Sequence, residues 1–271
     1  MKKIKIIAEI GWNHMGNMEL AKNMIKSASI NGADICKFQT WSEKKLKKGP
    51  WDNDGRREIY KKAQLSEQDH MSLLSECSKS NVEFLTSIFD IESINMLENI
   101  GIKTIKIPSH EIYNINLIQL ACKKFNQVYI SAGAAKWEEI IFLKKNIPTE
   151  NVLFLHCVSS YPCPPDILNM PKLLRLKEEF GEVGYSGHFQ GIDDALVAIC
   201  YGAKIIEKHF TIDNDLPGRD NKFAILPTDL KKISNFRSNF LNMMINQGLD
   251  LQKSEYDIYK NYRGRWSKDE K

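Results

Sequence analysis

The chain has no stretch of about 18 apolar residues, no Cys-x-x-Cys pair, no Gly-x-Gly-x-x-Gly after its first hydrophobic run and no concentrated basic face. The first absence argues against a membrane-spanning helix. The second leaves Cys36, Cys77, Cys122, Cys157, Cys163 and Cys200 as scattered thiols, as expected for a reduced, cytoplasmic protein. The third, with the lack of a midpoint break, disfavours a doubly wound open sheet, the runner-up architecture. Net charge is +4, from 38 Lys and Arg against 34 Asp and Glu, with the lysines spread along helical faces; no nucleic-acid partner is expected. The densest basic run, Lys44-Lys45-Leu46-Lys47-Lys48, reads as a solvated loop or helix end. Met1-Lys2-Lys3 resembles the start of a signal peptide, but Glu9 arrives before an apolar segment can form, so the opening reads as a first strand.

What is present is alternation. Short β-rich apolar runs fall at residues 4–9, 33–38, 82–86, 104–107, 127–130, 152–156, 183–185 and 204–207. Stretches of helical period separate them, among them 19–29, 66–80, 91–100, 116–124, 137–145, 169–180, 193–201 and 227–245. Asp90, Asp193 and Thr228 are candidate helix caps, and Gly32, Gly101 and Gly202 fit helix stops. Repeated βα units predict an α/β fold with a parallel sheet, and 271 residues match a single-domain (β/α)8 TIM barrel of about 250. The expected division is a barrel over 1–248 and a C-terminal tail over 249–271 that carries Arg263 and Arg265.

In such a barrel the residue after each strand faces one shared mouth. Those residues are Glu9, Asn13 and His14; Lys37 and Gln39; Ser87; Lys106, Ser109 and Glu111; Ser131; Ser159 and Tyr161; Ser186 and His188; Glu207 and His209. His188 and His209 occupy the same slot on adjacent strands, which points to a metal or acid/base site; the competing reading is two unrelated core or surface histidines. Lys37 and Lys106 are costly to bury alone, so an anionic partner is expected, and with the hydroxyls they form a cradle for phosphate and carboxylate.

Eight strings along the chain carry a resemblance. Ala8-Glu-Ile-Gly-Trp-Asn-His-Met-Gly16, Lys37-Phe-Gln-Thr40, Lys106-Ile-Pro-Ser-His-Glu111, Ser131-Ala-Gly133, Leu155-His-Cys-Val-Ser-Ser-Tyr-Pro162, Gly184-Tyr-Ser-Gly-His188, Glu207-Lys-His-Phe-Thr211 and Leu216-Pro-Gly-Arg-Asp220 are similar, in order, to the strand-end motifs of the sialic acid synthase family. That family includes N-acetylneuraminate, legionaminate and pseudaminate synthases. The resemblance implies condensation of phosphoenolpyruvate with an aldose to give a 2-keto-3-deoxy sugar acid and phosphate, in sialic acid or surface polysaccharide biosynthesis. It implies that His188 and His209 hold a divalent ion, Mn2+ first, with Mg2+ or Co2+ as alternatives. Lys37, Ser87, Lys106, Ser109, Ser131, Ser159 and Ser186 then surround phosphoenolpyruvate, while Glu9, Gln39, Tyr161 and Asp220 face the acceptor. Glu9 and Glu111 both remain candidates for moving protons.

The departures bear on specificity. Ser186-Gly187-His188 stands where the family carries Ser-Asp-His, which removes a carboxylate expected beside the metal. Pro108-Ser109-His110-Glu111 and Ser131-Ala132-Gly133 also differ from the family pattern, with His110 read as structural. The segment Gly49–Arg57 replaces a region that contributes to the acceptor's acyl-amino pocket. The resemblance further implies a C-terminal antifreeze-protein-like domain that places an arginine over the acceptor's N-acyl group across a dimer. The residues up to Lys271 are too few to hold it, so the expectation is a separate lid protein, a substitute among Arg219, Arg263 and Arg265, or an acceptor without an N-acyl group. The last is favoured, with a hexose-sized sugar or sugar phosphate as acceptor; a homodimer is the expected assembly if one forms. Two other readings compete: a non-catalytic sugar-binding or regulatory barrel, which retention of both histidines and both lysines disfavours, and a metal-dependent aldolase, which needs no paired lysines with so many hydroxyls.

Overall fold

Eight runs of about five residues, too short to be helices and each followed by an amphipathic stretch, close on themselves when every connection is a right-handed crossover. The computed structural model describes residues 4–50 and 52–266. The charged start at 1–3, Trp51 in the loop after the second strand and residues 267–271 of the tail lie outside the described residues. β1 (Lys5–Glu9) leads to α1 (Met18–Ile30), β2 (Ile35–Thr40) to α2 (Arg56–Ala63) and α3 (Glu67–Lys79), β3 (Glu83–Ile88) to α4 (Glu92–Asn99), and β4 (Thr104–Ile107) to α5 (Ile115–Lys124). β5 (Gln127–Ser131), β6 (Val152–His156), β7 (Val183–Gly187) and β8 (Ile205–His209) alternate with α6 (Trp137–Asn146), α7 (Pro171–Phe180), α8 (Asp193–Cys200) and α9 (Pro227–Met243). The strands pair in chain order, all parallel, and β8 closes on β1. The expected TIM barrel is the observed fold.

Outward strand residues such as Ile6, Ala8, Cys36 and Phe38 pack with the buried faces of the helices in one continuous core. Inside the barrel, Ile7, Ile35, Leu85, Tyr129, Leu155 and Ile205 form a separate apolar layer. Full burial of each of these side chains is worth about 1.5–3 kcal/mol. At Gly184 a Cβ would stand 2.9 Å from Leu155, so the packed interior leaves no room for a side chain there.

Helix ends follow local chemistry. Asn17, Ser66 and Asn114 accept hydrogen bonds from the first turns of α1, α3 and α5. Asp90 likewise accepts from the Ser93 amide at 3.0 Å. Asp193 and Thr228 lie instead inside the first turns of α8 and α9, whose cap positions are Ile192 and Leu226. Gly32, Gly101 and Gly202 take φ of +94°, +86° and +86°, the left-handed stop that glycine adopts without strain. α2 was not anticipated from sequence: it lies within what reads as one long loop after β2. All six cysteines are free and five are buried. Among the described residues no helix is long and apolar enough to cross a membrane. Residues 242–266 are exposed throughout.

Two of the three buried histidines outside the mouth, His14 and His156, make stability strongly pH-dependent. Burial holds the imidazoles of His14 and His156 at about 4, below the ordinary value near 6.5. The folded state therefore binds fewer protons than the unfolded one between about pH 6.5 and 4, and the stabilisation present above 6.5 is lost as pH falls through that window. Urea unfolding is expected to give a stability roughly 3 kcal/mol lower at pH 5 than at pH 6.5 from these two groups. A flat profile across that range contradicts it.

Candidate active site

Period-two alternation sets which residues reach the mouth. Two residues beyond the apolar interior layer, the same inward rows present Glu9 after Ile7, Lys37 after Ile35, Ser87 after Leu85, Ser131 after Tyr129, Cys157 after Leu155 and Glu207 after Ile205. Register then brings them level: Glu9 lies beside both Lys37 and His209, Ser87 beside Lys106, and Ser186 beside Glu207. The result is a cavity of about 950 Å³ at the carboxyl ends of the strands, at the upper end of the range for small-molecule sites.

The residues given a catalytic, substrate or metal role from sequence all line this one cavity: Glu9, Lys37, Lys106, Glu111, His188, His209, Gln39, Ser87, Ser109, Ser131, Ser159, Tyr161, Ser186 and Asp220. Asn13 and His14 do not line it. Asn13 Nδ2 donates to the Phe210 carbonyl at 2.9 Å, and His14 Nδ1 accepts from the Gly16 amide at 3.1 Å. Arg219 lines the cavity, whereas Arg263 and Arg265 lie on the exposed tail against the rings of Tyr259 and Tyr262.

Within the chain itself, the two lysines pair with carboxylates. Lys106 Nζ lies 2.6 Å from Glu207 Oε1 and donates to Ser186 Oγ at 3.2 Å. Lys37 Nζ lies 2.8 Å from Glu9 Oε2 and 3.5 Å from Glu207 Oε1, and donates to Ser87 Oγ at 3.0 Å. Both ammonium groups are at most 3% exposed. Burial alone lowers the Lys37 pKa, but Glu207 and Glu9 outweigh it and hold the group above its ordinary value. For Lys106 burial wins over Glu207, and the charge of Lys37 adds to it, so its pKa falls. Burial pushes Glu207 up while Lys106 and Lys37 pull it down, to about 2. Glu9 is raised by burial against the pull of Lys37, and its Oε1 accepts from Gln39 at 2.6 Å.

The hydroxyls divide by partner. Ser87 and Ser186 serve the lysines, and Ser159 donates to Ser109 at 2.8 Å. Ser131 Oγ is buried with no partner, leaving a donor for an occupant of the cavity. Glu111 is half-buried near the rim, bonded to Asn114 at 3.3 Å, with its carboxyl raised by burial. His110 also lines the cavity but stacks on Phe89, 5.2 Å between ring centres, consistent with a structural role.

His188 and His209 face each other with ring centres 5.3 Å apart, and Tyr161 packs 4.0 Å from His188. Burial lowers the His188 pKa to about 4 and holds that of His209 well below its ordinary value, so both rings are neutral near pH 7, the form that ligates. His188 Nδ1 is 2.8 Å from the Val158 carbonyl; since a carbonyl only accepts, the proton sits on Nδ1 and Nε2 keeps its lone pair. His209 Nδ1 is buried without a hydrogen bond, 3.3 Å from Asp220 Oδ2, whose carboxyl burial and then the charge of Glu9 raise to about 7. Among the described residues no group of three or more His, Cys, Asp or Glu side chains is arranged to hold an ion. The two neutral imidazoles, with the His188 Nε2 lone pair free and His209 Nδ1 without a hydrogen bond, have the donor chemistry to ligate an ion.

Sequence reading places Glu207 at the mouth without giving it a role, and it passes over the aromatic wall. Two residues before His209 on the same inward row, Glu207 is the hub of the charge cluster, within reach of both Lys37 and Lys106. The outer wall is aromatic: Tyr60 of α2 packs edge-on against Trp12 and Trp41 at 5.2 and 5.1 Å, and Trp41 against Phe89 at 5.7 Å. Gly187 also corrects an expectation. Its missing side chain points toward α8, not toward the imidazoles: a Cβ there would meet Asp194 Oδ2 at 2.2 Å and the Tyr185 ring at 2.5 Å. The carboxylate absent from position 187 is supplied from behind the strand by Asp194.

A closed parallel barrel with charged, hydroxyl and imidazole groups converging at the carboxyl ends of its strands defines the (β/α)8 enzyme class. Within that class, the chain belongs to the NeuB family, whose model matches residues 24–247. It is 36% identical over 250 residues to the N,N'-diacetyllegionaminic acid synthase of Campylobacter jejuni, covering 86% of this chain and 75% of that one. It is 31% identical over 254 residues to the N-acetylneuraminate-9-phosphate synthase of Drosophila melanogaster, covering 88% and 65%. The crystal structure of the N-acetylneuraminic acid synthetase of Leptospira borgpetersenii in complex with citrate superposes with a TM-score of 0.84 at 32% identity, covering 97% of this chain and 93% of that one.

Proposed function

We propose that the protein condenses phosphoenolpyruvate with an aldose to form a 2-keto-3-deoxy sugar acid and inorganic phosphate, a cytoplasmic step in the biosynthesis of a sialic acid-like sugar or polysaccharide. The observation that carries this reading is the pairing, in one cavity, of two ammonium groups backed by hydroxyls with two neutral imidazoles 5.3 Å apart. The named synthases to which the chain is similar support the same reaction class. Lys37 and Lys106, with Ser87, Ser109, Ser131, Ser159 and Ser186, hold the phosphate and carboxylate of phosphoenolpyruvate. Gln39, Tyr161 and Asp220 face the aldose.

His188 and His209 would hold a divalent ion, Mn2+ with Mg2+ or Co2+ as alternatives, which would supply Lewis-acid polarisation of the acceptor carbonyl. The enol methylene carbon attacks that carbonyl carbon and a carbon–carbon bond forms. The acceptor oxygen takes a proton from Glu9, whose raised pKa lets it carry one, and positive charge develops at the enol ether carbon, where the resulting Glu9 carboxylate and Glu207 stabilise it. Water adds there, one of its protons passing to Glu9, which is buried and has a raised pKa. Rupture of the carbon–oxygen bond then releases phosphate, which takes the remaining hydroxyl proton and is steadied by Lys37 and Lys106, and leaves the ketone. Glu111, nearer the rim, is assigned to binding and ordering water.

The test is phosphate release from phosphoenolpyruvate across a panel of aldoses and sugar phosphates, with and without each ion. Aldose-dependent release that chelation abolishes is expected. Sugar binding without release under every combination favours the non-catalytic barrel.

A further inference from the structure

We propose that Asp194, outside the cavity, is a positioning residue that sets the relative placement of the His188 and His209 imidazoles through Lys208. The inference deepens the ion-binding part of the proposed function and rests on it for one arm of its test.

Lys208 lies between Glu207 and His209 on β8, so its side chain points outward, into the layer between the barrel and α8, where it is 2% exposed. Its ammonium has three protons and three oxygens in reach: the Phe189 carbonyl at 2.7 Å, Asp194 Oδ2 at 2.8 Å and Asp194 Oδ1 at 3.0 Å. Asp194 is equally saturated, since Oδ2 also accepts from the Tyr185 hydroxyl at 2.9 Å and Oδ1 from the Ala195 amide at 2.8 Å. Phe189 directly follows His188, Tyr185 lies earlier on the same strand, and Lys208 directly precedes His209. One carboxylate at the start of α8 thus ties together the ends of both strands that carry an imidazole.

Gly187 makes the tie possible. It is the register partner of Lys208, and a side chain on it would occupy the space that the Asp194 carboxylate fills to reach across β7. Neither Asp194 nor Lys208 lines the cavity, so an effect on the imidazoles has to pass through backbone placement. A simple buried ion pair makes a different prediction: its loss lowers stability and leaves the rings where they are.

Three variants separate the two accounts: Asp194→Asn, Asp194→Asn with Lys208→Met, and Tyr185→Phe. Each is measured for thermal unfolding, for the imidazole NMR resonances of His188 and His209 in metal-free protein, and for Mn2+ affinity by the EPR signal of the free ion. Asp194→Asn is expected to weaken Mn2+ binding by about tenfold, the scale of a lost ligand-orienting partner, and to shift both imidazole resonances. The double variant, with no unpaired buried charge, is expected to regain thermal stability without regaining the resonances or the affinity. Tyr185→Phe keeps the ion pair and is expected to move the resonances by a smaller step. Should Asp194→Asn fail to fold, the other two variants decide. Unmoved resonances, or resonances and affinity that recover in step with stability in the double variant, overturn the proposal. If the unmodified protein binds neither Mn2+, Mg2+ nor Co2+, the ion-dependent reading of function fails, while the resonances still decide the role of Asp194.

Discussion

Glu207→Gln is expected to cost about 3–5 kcal/mol of stability in the ligand-free protein, the range for breaking a buried ion pair from one side. The reason lies in how unevenly the two lysines are provided for. Lys37 keeps Glu9 at 2.8 Å, but Lys106 is left with the neutral hydroxyl of Ser186 at 3.2 Å, at 3% exposure. Amide oxygen accepts a hydrogen bond without compensating the charge, so the fold either carries an unpaired ammonium or drives Lys106 to the neutral amine. Inorganic phosphate should recover part of the loss in the variant and much less in the unmodified protein, because an anion then takes the place of the missing carboxylate. Urea unfolding with and without phosphate measures both. A variant within about 0.5 kcal/mol of the parent, the range of an ordinary surface change, would show that Glu207 is not the hub of the charge cluster.

The second large effect concerns the imidazoles. His188→Ala and His209→Ala are each expected to reduce kcat/KM for aldose-dependent phosphate release by about 10³-fold or more, equivalent to roughly 4 kcal/mol of transition-state stabilisation. The loss is expected to be large because, on the proposed reading, the ion has no imidazole besides these two to hold it. Thermal unfolding should change little by comparison, since both rings face the cavity and neither is a covalent or charged anchor of the fold. A variant that retains most of its activity and remains sensitive to chelators would place the ion elsewhere.

Much of this was legible along the chain. The eight strands announce themselves by short apolar runs, and the inward residues after them, Glu9, Lys37, Lys106, His188 and His209, were identifiable because a barrel turns the end of every strand toward one mouth. Strand ends were read short: β2, β3, β7 and β8 run on to Thr40, Ile88, Gly187 and His209, because polar residues there weaken the hydrophobic signal while the ladder continues. Helix α2 gives a weak signal because five of the eight residues of Arg56–Ala63 are charged and only Ala63 is fully buried. Pairing was the hardest to see. Glu207 is 101 residues from Lys106, and no local pattern says that a lysine at one strand end meets a glutamate at another. The same holds for Asp194, whose importance depends on the side chain that Gly187 lacks.

The apolar layer of Ile7, Ile35, Leu85, Tyr129, Leu155 and Ile205 closes the barrel beneath the charged groups. A tube sealed at one end has a single door. With the three-carbon phosphoester seated against the deep lysines and the sugar nearer the aromatic rim, an aldose that arrived first would block the way in. On the proposed function, turnover is expected to follow a compulsory sequence, phosphoester before sugar, with what lies outermost departing before what lies beneath it.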